Sequence, residues 1–176
     1  MYRITAILVF LIVLLLFFVQ LFTEQLRAVD DAHLTLQQMS QVVEENQKEL
    51  KEIEEEYYQT CLNNAEIVSR ILESDPDAIN NVYELKRIAK SVEIDEIHIF
   101  DETGKIYAGT HPKYYGLTFD SGEQISFFKP MLKDKSLNLV QDITPNTAES
   151  KPMQYSAVWS GNGEFIVQIG MEPVNV

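Results

Sequence analysis

Side chains that could do chemistry are few and scattered in this 176-residue sequence. The histidines are His33, His98 and His111, with no HExxH or paired spacing, and Cys61 is the only cysteine. That set assembles no metal site of standard ligand spacing, no CxxC redox pair and no internal disulfide, so neither a metal nor a cofactor is expected. Asp95, Glu96, His98 and Asp101 cluster, but strand alternation sends Asp95 and Glu96 to opposite faces. The cluster therefore reads as solvated strand and turn residues. With no G-x-S-x-G, Walker loop or G-x-G-x-x-G either, no catalytic residue is assigned and the chain reads as non-enzymatic.

Binding chemistry is better supplied. Ala108, Gly109, Ser156, Ala157, Gln168 and Gly170 fall where bulky apolar side chains would fill an ordinary sheet core, and together they leave room for a cavity. Around them lie Tyr107, His111, Tyr114, Tyr155 and Trp159, aromatic walls with polar tips. Lys151 and Gln168 are the side chains expected to orient a ligand, the lysine by anchoring a carboxylate.

The elements that must position these residues follow from periodicity. Ile97 and Ile99 alternate with Glu96 and His98, Asp101-Glu102-Thr103-Gly104 supplies turn chemistry, and Lys105 to Thr110 returns as a partner strand. Ile97, Ile99 and Ile106 are core candidates. Ser121 with Gln124 has the spacing of a capping box for a short helix that Pro130 ends. Three further strands are expected near 137–143, 152–159 and 164–171. Upstream, Ser74-Asp75-Pro76 stops one helix and starts another, with Ser74 or Asp75 as N-cap, and Ile79, Val82, Leu85, Ile88 and Ala89 give the second its apolar face. The fold class is α+β, a five-stranded, largely antiparallel sheet with helices to one side.

The N-terminal part has a different solvent in view. Ile4 to Phe22 carries no charge over 19 residues, which at 1.5 Å per residue spans about 28 Å, the hydrocarbon thickness of a bilayer. A signal peptide is the competing reading, but the run exceeds its usual apolar region and lacks small residues at cleavage spacing. Arg3 before it, against Glu24, Asp30 and Asp31 after it, places the N-terminus in the cytoplasm and the rest outside. Thr23 to Glu73 contains no proline or glycine and reads as one long helix. A seven-residue register runs through it at Val29, Leu36, Val43, Leu50 and Tyr57, the seam of a parallel coiled-coil dimer that Asn46, Thr60 and Asn64 weaken. Beyond Tyr57, two readings stay open: continued coil, or an amphipathic helix packed on its own domain. The net charge is −13, and every acidic residue follows the apolar run, which argues against nucleic acid as a partner.

A membrane helix, a long outer helix and then "IFDETGKIYAGTHPKYYGLTF" resemble the extracytoplasmic Cache (PAS-like) sensor domains of bacterial signal transducers. The resemblance is carried by Asp101 and Gly104 of the D-x-x-G turn, His111-Pro112 and Gly116, and by the closing "MQYSAVWSGNGEFIVQIGMEP". It covers about residues 23 to 173. It implies a small-molecule ligand such as an amino acid or organic acid, bound between the sheet and its covering loops. It also implies signalling along helices to an output of histidine kinase, diguanylate cyclase or chemoreceptor type, lying beyond residue 176. No arginine or aspartate takes the positions that hold amino acids in that family. The expected organisation is a tail at 1–3, a transmembrane helix at 4–22, a stalk at 23–73 and the sensor domain at 74–176. The competing class is a bitopic coiled-coil assembly protein of the cell envelope, whose C-terminal domain docks another protein.

Overall fold

The computed structural model describes residues 2–173, and the side chains of 7–173 except Ala28. The side chain of Arg3, on which the orientation rests, lies outside the described residues, as do those of 4–6 at the start of the apolar run. A single helix, α1, runs Tyr2–Ser74. By packing, the chain divides into two units, Met1–Ile53 and Glu54–Val176. In the first, the large apolar side chains from Ile7 to Phe22 are all exposed, on a helix long and apolar enough to cross a membrane. Val29, Leu36, Val43 and Leu50 are exposed as well.

The second unit is built on a sheet. α1 ends where Pro76 pushes Asp75 out of the helical region. The expected restart differs in detail: Pro76–Asn80 is a 3-10 turn with no side-chain cap. The helix proper, α2, runs Val82–Ser91, with Asn81 accepting from the backbone N–H of Tyr83 and Glu84. Strands β1 (Glu96–Phe100), β2 (Ile106–Gly109), β3 (Leu139–Val140), β5 (Pro152–Trp159) and β6 (Ile166–Met171) form an antiparallel sheet in the order β2-β1-β6-β5-β3. A two-residue β4 (Thr144–Pro145) also pairs with β5. Between β2 and β3 lie a 3-10 turn at Pro112–Tyr114, α3 (Glu123–Ser126) and another 3-10 turn at Lys129–Leu132. This is the α+β arrangement expected, with a sixth short strand where one longer strand near 137–143 was expected.

Both faces of the sheet are covered. On one, Ile97, Ile99, Val158, Val167 and Ile169 pack against Ala65, Val68 and Leu72 of α1 and Leu85 and Ile88 of α2. Cys61, Ala65, Val68 and Leu72 recur at helical spacing and are fully buried, so the end of α1 lies on its own domain. Ser156 permits close approach there, its hydroxyl donating to the Cys61 carbonyl at 2.7 Å. On the other face Phe100, Tyr155, Ala157, Trp159 and Ile166 meet Tyr114, Phe119, Ile125, Phe128 and Met131 from the β2–β3 connection. The helices are thus not confined to one side; short helical turns cap the second face.

Between Ile99 and Phe100 the β1–β2 register shifts: Ile99 pairs with Ala108 and Phe100 with Ile106. Tyr107 is the extra residue of a bulge, which sends Ile106 to the second core and Ala108 to the first. The capping box does not form. Ser121 Oγ accepts from Thr118 N–H at 2.8 Å, Gly122 precedes α3 without a side-chain cap, and the Gln124 amide is used elsewhere.

Candidate functional site

A cavity opens on the sheet face opposite α1. His98 of β1, Gln168 of β6 and Tyr155 of β5 form its floor, since Gln168 pairs with both His98 and Ala157 across the strands. Ile106, Tyr114 and Ile125 wall it, and Gln124, Asn146 and Thr147 close over it. It offers about 20 Å³ of free space, room for about one or two ordered water molecules.

The floor is anchored by a buried polar cluster. Glu96 Oε2 accepts from Tyr155 Oη at 2.8 Å and from His98 Nε2 at 3.0 Å. Burial pushes the Glu96 carboxyl up, but the His98 and Tyr155 hydrogen bonds outweigh it and hold the group below its ordinary value. Glu96 is therefore an acceptor-only carboxylate, and His98 Nε2 carries the shared proton. Burial, then the Glu96 charge, pushes the Tyr155 phenol far up, so it stays a donor. Gly170, opposite Tyr155, makes this geometry possible: a Cβ there would lie 2.6 Å from the tyrosine Cε1.

The cover is fastened by a second network. Gln124 Nε2 donates to Gln141 Oε1 at 3.0 Å, Gln141 Nε2 to the Gln124 carbonyl at 3.2 Å, and Thr147 Oγ1 to Gln124 Oε1 at 3.2 Å. The turn that begins at Asn146 is held by its own side chain, whose Oδ1 accepts from Glu149 N–H at 2.7 Å. A Lys113–Glu149 ion pair joins this turn to Pro112–Tyr114. Four buried polar atoms remain without a protein partner among the described residues: His98 Nδ1, Tyr114 Oη, Asn146 Nδ2 and Gln168 Nε2. All four side chains line the cavity. Since buried polar groups are nearly always paired, so many orphans around one space are best satisfied by a ligand or by ordered water.

Of the residues proposed from sequence, Tyr114, Tyr155 and Gln168 come together here. His111 stands behind them, half-buried, with its Nδ1 bonded to Thr110 Oγ1 at 2.9 Å and its ring 5.6 Å from that of Tyr114. The others lie elsewhere. Tyr107 is turned out to solvent by the bulge. Trp159 shares a face with Tyr155 but sits four residues, about 13 Å, further along β5, where its Nε1 donates to the Met131 carbonyl at 2.9 Å. Lys151 precedes β5 and pairs with Glu172.

No family model matches this chain, and no curated protein matches it. Eighteen solved chains are similar in fold, among them three proteins. The first is the Bacillus subtilis YkuI protein with an EAL domain, in complex with substrate c-di-GMP and calcium, at 13% identity and TM-score 0.48 over 77% of this chain and 37% of that one. The second is the sensor domain of the V. cholerae histidine kinase DctB, at 13% identity and TM-score 0.49 over 77% and 57%. The third is the ligand-binding domain of the Campylobacter jejuni chemoreceptor Tlp3 in complex with L-valine, at 12% identity and TM-score 0.44 over 72% and 55%. The chain thus spans between about a third and three fifths of these proteins' length.

Glu96 and His98 correct the sequence reading, which placed them in solvent; they are 6% and 3% exposed. Alternation separates faces but does not say which face is wet, and β1 is buried on both. Two polar residues at i and i+2 in a strand flanked by isoleucines were the available signal. Asn146, Gln124 and Thr147 come from the irregular β2–β3 and β4–β5 connections, where no periodicity marks them.

Proposed function

We propose that this chain is the extracytoplasmic ligand-sensing region of a membrane signal-transduction receptor, anchored by the N-terminal part of α1 and dimeric through the 29–57 seam. The observation that carries this reading is the cavity around which four buried polar atoms have no protein partner among the described residues. The ligand acts without chemistry, and any enzymatic output belongs to a kinase, cyclase or chemoreceptor module outside these residues.

The route from site to helix is short. Gln168 lies on β6, the strand that ends at Met171. Just beyond it, the Glu172 N–H donates to Asp95 Oδ2 at 2.8 Å, and the Glu172 carbonyl accepts from Tyr57 Oη of α1 at 3.2 Å. A ligand that binds two settings of β6 unequally would shift α1 by that difference in affinity.

The test is a thermal-unfolding screen of the full chain in detergent micelles against amino acids, organic acids and sugars. At least one compound is expected to raise the midpoint in a saturable way. A screen with no stabilising compound would remove the sensor reading and leave the protein-docking alternative.

A further inference from the structure

The unpartnered atoms around the cavity belong to two layers. His98 Nδ1 and Gln168 Nε2 come from the sheet, on β1 and β6, and Tyr114 Oη and Asn146 Nδ2 from the connections above it. All four residues are buried, none more than 5% exposed. Their atoms also differ in kind. Asn146 Nδ2 is a donor, because Oδ1 of the same amide is taken by Glu149 N–H. Gln168 Nε2 is a second donor. His98 Nδ1 is an acceptor, since the Nε2 proton of the neutral ring is committed to Glu96. The Tyr114 hydroxyl can serve either way.

From this inventory we infer that a bound water bridges the two layers, accepting from Asn146 and Gln168 and donating to His98 Nδ1 and Tyr114 Oη, and that this water latches the cover onto the sheet. A water offers two hydrogens and two lone pairs, which is the set these atoms require. The free space of about 20 Å³ suits an occupant of that size. The Gln124–Gln141–Thr147 network stays within the cover, and the Glu96 network stays within the sheet. The water joins the two.

Other small occupants leave a partner unmet. Chloride would accept from both amides and from Tyr114, but it would face the His98 lone pair. No lysine or arginine lines the space to offset its charge or that of the Glu96 carboxylate bonded to His98. Ammonium would donate to His98 Nδ1 and Tyr114 Oη, yet it carries no lone pair for the Asn146 and Gln168 protons. The latch does not depend on the sensor reading. Where that reading holds, the latch sets the route of entry: a molecule larger than the space must break the water bridge and lift the cover.

The test is amide hydrogen exchange of the full chain in micelles, parent against Gln168→Met, which keeps the reach of the side chain and removes its donor. The substitution lies on β6, while the readout lies in the cover, at the hydrogen-bonded N–H groups of Asn146, Glu149 and Ser150. These are expected to exchange about tenfold faster in the variant, with the amides of α2 unchanged. In the parent, water-selective nuclear Overhauser transfer is expected to reach the side-chain amides of both Asn146 and Gln168 from long-lived water. Cover exchange no faster than in the parent, or faster to the same degree throughout the domain, would overturn the latch. So would the absence of transfer to either amide. If the variant fails to fold, the transfer alone decides. A thermal screen empty of ligands would remove the sensor reading and leave the latch, whereas a stabilising ligand without the bound water would leave the sensor and remove the latch.

Discussion

Glu96 is the residue on which the floor of the site turns. It is the only carboxylate among the three buried charged or polar side chains of β1 and β6, and it holds both Tyr155 and His98 in place. Removing its charge leaves two buried donors facing a weaker acceptor. Glu96→Gln is expected to lower stability by about 2–3 kcal/mol at neutral pH, measured by urea unfolding. Its pH dependence has a definite sign. The folded carboxyl titrates below its ordinary value of 4.5, so its contribution is complete above that value and is lost as pH falls through the folded one. The unfolding midpoint of the parent should therefore drop more steeply than that of Glu96→Gln between about pH 5 and about pH 3. Parallel curves would mean that the carboxylate does not stabilise the fold. Neither Glu96 nor His98 was legible as a site residue from sequence, because what makes them so is the cover over them, built from Gln124, Asn146 and Thr147, 26 to 51 positions away.

At the scale of elements, the hairpin was legible and the long connection was not. β1, its turn and β2 follow from local alternation and from Asp101, whose Oδ1 accepts from Thr103 and Lys105 N–H at 2.9 and 3.1 Å. The bulge at Tyr107 was invisible, since it depends on which residue pairs across the strand. α1 was legible as a helix throughout, but its two faces needed the sheet. The Cys61-Ala65-Val68-Leu72 stripe is spent on the domain, so the proposed seam with a second copy lies in the part before it. In a parallel coiled coil, Val43 faces its own copy while Lys48 points outward. Val43→Cys is accordingly expected to form an oxidative cross-link at least about tenfold faster than Lys48→Cys in reconstituted membranes, read on non-reducing gels. Native Cys61 stays silent, being fully buried with its thiol pushed up to about 11 by that burial. Equal rates at the two positions would exclude the seam.

For the molecule as a whole, the sequence conveys the apolar N-terminal run plainly and the candidate site only in part. An apolar run without charge shows by its length that it could cross a bilayer, whereas a cavity is a property of packing between strands that no local pattern encodes. Tyr114, Tyr155 and Gln168 were within reach because polar or aromatic residues inside apolar strands and turns are conspicuous. The orientation of the domain is a separate matter, resting on Arg3 against the acidic flank that follows the span. The same protected Cys61 makes that orientation measurable. Glu102 lies exposed in the turn between β1 and β2, so Glu102→Cys presents one reactive thiol on the domain. A membrane-impermeant maleimide should label it in intact cells, with the outer membrane permeabilised where there is one, and should leave the parent chain unlabelled. Labelling of Glu102→Cys only after the inner membrane is opened would put the domain in the cytoplasm. The cavity would then sample the metabolites of the cell interior, with the positive-inside argument overturned and the binding chemistry of the site unchanged.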